Sequence, residues 1–550
     1  MTCVGQGAIN SIVPRKERIL IVYLRFSVLL TLVLLVSSSS FAQYSVGWIY
    51  DSPDTINGFA IGDLDNDGYK EIVLYNLRGP LIVLNHDKSV RWTIQAPPGA
   101  ELRGSPGIAN LDQDSTLEVI VEWYGYGVCV YDWDSTLVWC DTTVFGTGDY
   151  GSAPAIADVN NDDTVDVLVA DYLGHITCFN GQTGSIVWQY VPAPSDSDIF
   201  LGHATIEDLD HDGAYEVLAY GADPGMVHCV NGEDGSLEWL YNVWVNNNDY
   251  GFGTGPGVGD IDGDSLEEVI IVGYSSGNII ALEENGFFKW EYTAGDFYGD
   301  YFQFTSPSIA DVDTSSPGLE VVACGETDNV YVISNSGAEQ WVHAYDGGEW
   351  QPSLSDLDED GRFEIIAASW FDTLFVLDAD SRTTEWTFST GDNGFLWPYA
   401  LIDDIDNDNL AELIVGDWAT QKLYMLDLEC ALNGAWPTFM HNNRRTGHPD
   451  DLPVGIEEVN SSRPLPNHFS LTAYPNPCHG LLAVEYTLPH SSAISLLIYD
   501  VAGRKIRTLH SGQRKPGTYT ARVQKLTSGV YFLKLAAEGS ATTLKIVMTQ

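Results

Sequence analysis

Asp356-Leu357-Asp358-Glu359-Asp360-Gly361-Arg362-Phe363-Glu364, followed at once by the apolar run Ile365-Ile366-Ala367-Ala368, is the stretch that decides the fold. Acidic residues at positions 1, 3, 5 and 9, with glycine at 6, make a compact loop rich in oxygen. A hard cation such as Ca²⁺ takes six to eight oxygens at about 2.3–2.6 Å, and this spacing wraps them round one point. Gly361 permits the sharp turn that the wrapping needs. The loop recurs eight times, beginning at Asp63, Asn110, Asp158, Asp208, Asp260, Asp311, Asp356 and Asp404, with successive copies 45 to 52 residues apart. A fixed period of this size signals a repeat architecture.

Working outward from each loop, the same plan returns. A short strand ends at the loop, as in Ser152-Ala153-Pro154-Ala155-Ile156-Ala157, and a buried strand follows in Val167-Leu168-Val169-Ala170. A third strand, His175 to Phe179, leads through the Gly-rich turn Asn180 to Gly184 to a fourth that opens on Trp188. Short strands at regular spacing with Gly/Asn/Asp turns predict an all-β array, and four per repeat make a propeller blade. The fourth-strand Trp occurs nine times, at 48, 92, 139, 188, 239, 290, 341, 386 and 436, against eight loops. Ring closure, with one end of the chain completing the blade begun by the other, explains the surplus. The alternative is a leftover linker strand. The expected fold is therefore an eight-bladed β-propeller over residues 44–449, or a seven-bladed one if the irregular Asp311 repeat leaves the ring.

The loops supply a candidate metal-ligand set. Three are intact: Asp63, Asp65, Asp67 and Glu71; Asp208, Asp210, Asp212 and Glu216; Asp356, Asp358, Asp360 and Glu364. Four are nearly so: Asn110, Asp112, Asp114 and Glu118; Asp158, Asn160, Asp162 and Asp166; Asp260, Asp262, Asp264 and Glu268; Asp404, Asp406, Asp408 and Glu412. The Asp311 copy has Ser315 at position 5 and an inserted residue before Glu320, which predicts weak binding or none. Asp and Asn also make Asx turns without any ion, but carboxylates crowded this closely repel one another unless a cation is present. Several structural Ca²⁺ ions are the expected cofactors.

These loops with their following strands resemble FG-GAP/VCBS repeats, the calcium-loop blades of integrin α-chain propellers and of many bacterial surface proteins. Each loop is similar to the first half of an EF-hand loop, but a strand follows it in place of a helix. Asn180 to Trp188 and Asn231 to Trp239 also resemble the outer strands of quinoprotein-type blades.

The formal charge of −52 is unevenly spread. The first 42 residues hold four Lys/Arg and one acid, and the chain from Ser461 onward holds ten Lys/Arg and three acids, leaving 11 basic against 73 acidic residues between them. Such a surface repels nucleic acid and anionic membranes. At the N-terminus, Arg15, Lys16, Arg18 and Arg25 precede the apolar run Phe26 to Val36, and Ser40 and Ala42 fit a cleavage site before Gln43, so residues 1–42 read as a signal peptide. No other stretch reads as a transmembrane helix, and none is expected in the mature chain. Cys178 and Cys229 fall where other repeats carry Val or Ala and read as core, while Cys129 and Cys140 flank one hairpin and are candidates for a disulfide.

Residues 450–466 form a polar, Pro-containing linker. The remainder, 467–550, reads as about seven short strands in a small Ig-like β-sandwich. Tyr474-Pro475-Asn476-Pro477, Tyr499 to Arg504, Gly517-Thr518-Tyr519, Ser528 to Tyr531 and Lys545-Ile546-Val547 together resemble the type A C-terminal sorting domain of the type IX secretion system. The resemblance implies the type IX machinery as a partner and a secreted or surface-anchored location in a Bacteroidetes-type bacterium.

On the face opposite the loops, Trp123, Tyr172, Tyr274, Trp370 and Trp418 end second strands, and Trp350 and Trp397 sit in the connections before first strands. They form a candidate face for a glycan or protein ligand, or else pack their own loops. No HExxH or P-loop is present, and no GxSxG or GxGxxG falls between a strand and a helix, since Gly273-Tyr274-Ser275-Ser276-Gly277 lies in a strand-to-strand turn, so a non-enzymatic binding or adhesion module is expected. The alternative is a polysaccharide-active enzyme similar to rhamnogalacturonan lyases. That chemistry needs a basic cleft for uronate, which 11 Lys/Arg in the propeller disfavour.

Overall fold

The computed structural model describes residues 44–143, 153–193, 200, 202–209, 214–221, 225–247, 255–264, 266–273, 277–294, 306–313, 316, 318–325, 329–345, 348, 351–358, 360–391, 394–432 and 434–436, and then 470–474, 478–479, 482–488, 492–501, 504–514, 517–523, 529–537 and 540–549. The signal segment and the 450–466 linker lie outside the described residues. The chain divides into two compact units, Met1–Val454 and Gly455–Gln550.

In the first unit each repeat folds into an antiparallel sheet whose strands lie side by side in chain order. The third repeat gives Ala155–Ala157, Asp166–Ala170, Ile176–Asn180 and Ile186–Tyr190. Its second strand is buried along its whole length. A strand covered on both faces reads as a continuous apolar run. The outermost strand alternates exposed and buried positions, as an edge with one solvated face does. Eight such sheets form among the described residues. Their innermost strands neighbour one another in the order Ile56–Gly62, Gly107–Ala109, Ala155–Ala157, Thr205–Glu207, Gly257–Gly259, Ser308–Ala310, Ser353–Ser355 and Leu396–Asp403, which returns to Ile56–Gly62. The unit is a β-propeller. The irregular Asp311 repeat has its own four-stranded sheet and its own place in this order.

The ring is closed by the beginning of the chain. Tyr44–Asp51, which carries Trp48, pairs with Lys422–Leu428 as the outer strand of the eighth repeat. Trp436 therefore is not a ninth copy of the fourth-strand Trp. Its strand, Gly434–Trp436, pairs with the innermost strand Ser353–Ser355 of the seventh repeat.

Neighbouring repeats are latched by these tryptophans. Trp48, Trp92, Trp139, Trp188, Trp239 and Trp290 each donate Nε1–H to a carbonyl in the outer turn of the next repeat: His86, Trp133, Gly181, Gly232, Glu284 and Asn335, at 2.6–3.1 Å. Gly235 sits over the Trp188 ring at φ +70°, where an added Cβ would lie 2.5 Å from Cε3. Only glycine meets both demands at once. Trp341 and Trp386 leave Nε1 without a partner. The latch thus fails on both sides of the seventh repeat.

Cys129 and Cys140 are joined in a disulfide between paired strands of the second repeat, while Cys178 and Cys229 are free and buried. The second unit has a three-stranded and a five-stranded sheet. They share a core that includes Val484, Tyr486, Leu496, Ile498, Leu533 and Ile546. Among the described residues no helix is long and apolar enough to cross a membrane.

Candidate metal centres

Each acidic loop is built by its own side chains folding back on its backbone. The position-1 carboxylate accepts from the amides of positions 5 and 6: Asp67 and Gly68 onto Asp63, Asp162 and Asp163 onto Asp158, Asp360 and Gly361 onto Asp356, Asp408 and Asn409 onto Asp404. Position 6 lies in the left-handed region, at φ +92° in Gly68 and +87° in Gly361. Asp163 and Asn409 take the same conformation, which short polar side chains tolerate. These are Asx turns, and they consume only part of each carboxylate's accepting capacity.

The position-9 carboxylate closes the loop. Oε2 of Glu71, Glu118, Glu216, Glu268, Glu320, Glu364 and Glu412 accepts the position-2 amide: Leu64, Leu111, Leu209, Ile261, Val312, Leu357 and Ile405, at 2.5–3.1 Å. The other oxygen, Oε1, accepts from Arg91 in Glu71 and from Lys289 in Glu268. Loops are also chained to one another. The position-8 amides of Lys70, Leu117, Glu267 and Leu319 donate to the position-2 carbonyls Ile405, Leu64, Leu209 and Ile261 of the preceding loop.

Among the described residues, carboxylate oxygens converge within 4.8 Å of one another in five loops: Asp63, Asp65 and Glu71; Asp112, Asp114 and Glu118; Asp260, Asp262 and Glu268; Asp356, Asp358 and Asp360; Asp404, Asp406 and Glu412. Two oxygens bound to one ion at about 2.4 Å lie no farther apart than about 4.8 Å, so these clusters fit a single cation. Asn110 Oδ1 and Asp406 Oδ1 are buried with no hydrogen-bond partner, which a bound ion would satisfy. Asp210 and Asp212 lie outside the described residues, as does Ser315.

Burial, followed by the neighbouring carboxylates, pushes Glu118 and Glu412 up to about 8, Asp166 to about 7 and Glu364 to about 9. Glu385, on the outer strand of the seventh repeat, is raised to about 7 by burial and by Asp358, Asp378 and Asp360. Sequence reasoning missed this extra acid. Its signal is the place immediately before the repeat Trp.

Basic side chains enter two loops from that same place. Arg91 Nη1 is 3.1 Å from Glu71 Oε1 and Nη2 contacts Asp65 Oδ2. Lys289 Nζ is 2.8 Å from Asp262 Oδ2, 2.8 Å from Glu268 Oε1 and 2.9 Å from Glu283 Oε2. In the irregular loop, Arg382 from the next repeat reaches Asp313 at 3.3 Å.

The aromatic face is only partly assembled. Trp370, Phe395 and Trp418 form a run with centroids 5.0 and 5.8 Å apart. Trp418 is 39% exposed and the adjoining Phe371 56% exposed. Asp372 and Asp417 lie alongside, with Ser389 and Thr390 donating to them. Tyr172 is 42% exposed but belongs to the third repeat. Trp123 does not belong to the face. It is fully buried, because an added strand, Glu101–Leu102, pairs with Tyr124 and Trp123 and extends the sheet over it. Tyr274 and Trp350, and the Trp397 side chain, lie outside the described residues.

In overall fold the chain is similar to a europium-containing methanol dehydrogenase, with a TM-score of 0.51 and 9% identity over 70% of this chain and 93% of that one. It is also similar to BamB from Moraxella catarrhalis, with a TM-score of 0.48 and 15% identity over 70% of this chain and 98% of that one. Both likenesses are of fold alone. No curated protein matches the chain in sequence. Residues 472–549 match the family described as the Secretion system C-terminal sorting domain, so the second unit is the part that marks the chain for export.

Proposed function

We propose that the protein is a non-enzymatic binding module, an eight-bladed propeller stabilised by Ca²⁺ in its acidic loops and of the FG-GAP/VCBS type. The type IX system exports it to the surroundings or surface of a Bacteroidetes-type bacterium, and the sorting domain at 472–549 supports that route. The convergent carboxylate clusters of the second, seventh and eighth repeats support the ions. Calcium suits them because the donors are all oxygen.

The observation that carries the binding reading is the run of Trp370, Phe371, Phe395 and Trp418, in which Phe371 and Trp418 are exposed, beside the half-buried Asp372. Flat apolar rings next to carboxylates suit a sugar, whose C–H face stacks while its hydroxyls donate. A neutral glycan fits best, since the acidic surface repels polyanions. The nine Lys/Arg of residues 44–436 support a binding role over uronate chemistry. Lys70, Arg78, Arg91, Arg103, Lys289, Arg362, Arg382 and Lys422 each engage a carboxylate, and Lys88 bonds to the Ile49 carbonyl.

The test is a glycan array probed with the full mature chain in calcium and in EGTA. Retention on neutral glycans in calcium supports the reading. Release of unsaturated oligosaccharides from pectic polymers would instead establish a lyase.

A further inference from the structure

Resting on the reading of the acidic loops as divalent-cation cages, we infer that the cages of the first and fifth repeats are filled by the protein's own Arg91 guanidinium and Lys289 ammonium. Divalent ions are left to the other loops.

The first argument is geometric. Lys289 Nζ holds three carboxylates from three segments within 2.8–2.9 Å. One is Oε1 of Glu268, whose Oε2 is already committed to the Ile261 amide, so the ammonium takes the oxygen an ion would use. Arg91 does the same in the first repeat. It takes Glu71 Oε1 and Asp65, with Asn85 Oδ1 at 3.3 Å, while Glu71 Oε2 holds Leu64. A divalent ion bound to these oxygens at about 2.4 Å would sit within a few ångströms of a fixed positive charge, which Coulomb repulsion forbids at partly buried sites.

The second argument is placement. Arg91 and Lys289 both stand immediately before the repeat Trp, Trp92 and Trp290, on the outer strand. The other repeats have Gly47, Val138, Val187, Glu238, Gln340 and Glu385 there, and none is a cation. Lys289 is the sole Lys or Arg between Arg103 and Arg362. In a chain so poor in basic residues, the only one in five repeats enters a carboxylate cage. The first and fifth repeats are four steps apart in either direction round the cyclic order of innermost strands. The two resident cations thus stand on opposite sides of the ring and hold their loops whatever the calcium concentration.

The test is to count bound Ca²⁺ by isothermal titration calorimetry on the full mature chain and on Lys289→Met, Arg91→Met and the double variant. Each single substitution is expected to add one ion per chain and the double variant two, while the control Lys422→Met adds none. An unchanged count in properly folded variants would overturn the inference. Should the wild type bind no calcium and Lys289→Met bind one ion, the inference would stand and the reading of the remaining loops would fall. Lysine acylation followed by mass spectrometry tests the wild type directly. Lys289 should stay unreactive in both saturating calcium and chelator, and a rise in labelling on adding calcium would show the ammonium giving way to the ion.

Discussion

Lys70 Nζ lies 2.5 Å from Asp403 Oδ1, and the pair joins the acidic loop of the first repeat to the innermost strand of the eighth. It stands where the first repeat meets the eighth. Removing one partner leaves a largely buried charge unpaired, which costs more than the pair itself contributes. Lys70→Met is expected to lower stability by about 2–3 kcal/mol, and adding Asp403→Asn should restore much of it. Urea unfolding of the single and double variants checks this.

Chelation should lower the melting temperature, and by an amount that grows with pH. Glu118, Asp166, Glu364 and Glu412 titrate near 7 to 9 in the folded chain because they are buried. In the unfolded chain they titrate near 4 to 4.5. The folded form therefore binds more protons between about pH 4 and 9, so the metal-free protein loses stability as pH rises through that window. Bound calcium needs those groups ionised and removes the loss. Melting curves in EGTA and in calcium at pH 5.5 and 8.5 should diverge more at the higher pH. Equal melting temperatures at pH 8.5 would refute the metal reading.

Gly235→Ala is expected to cost about 1–3 kcal/mol, because φ is +70° and the new methyl would meet the Trp188 ring. Trp188→Phe, which loses only the 2.7 Å bond to the Gly232 carbonyl and some packing, should cost about 1 kcal/mol. Thermal melts of the two variants in calcium give the order. A milder effect for Gly235→Ala would mean that the latch does not hold the repeats together.

Trp418→Ala should weaken glycan binding about tenfold, equivalent to about 1.4 kcal/mol, and Phe371→Ala should do likewise. Both rings are substantially exposed, so the melting temperature should barely move. Tyr172→Ala, in a distant repeat, should leave binding unchanged. Titration against the best array ligand separates these outcomes.

The loops, the four-strand plan and the closure by the Trp48 strand were legible because repetition multiplied a short signal. One nine-residue loop is an Asx turn, but several at a fixed period define an architecture. Trp123 was misread because both faces of a propeller's second strand are covered, so alternation no longer separates inside from outside. The strand that hides it, Glu101–Leu102, belongs to no repeat pattern. Trp436 imitated the repeat Trp, yet its partner is the innermost strand of a neighbouring repeat, and local sequence does not specify so distant a pairing. Arg91 and Lys289 were visible in the sequence, but their relation to the loops depends on how an outer strand leans across its sheet.

The pairing of Tyr44–Asp51 with Lys422–Leu428 also orders events during synthesis. The strand Tyr44–Asp51 must wait, unpaired, until almost the whole propeller has followed it, so the circle cannot be completed before Leu428 has been made. The last sheet is finished only when its two most distant segments meet, a slow step for contacts this far apart in sequence. A chain cut short before Leu428 would leave its opening strand as a bare edge, open to any other strand that passes.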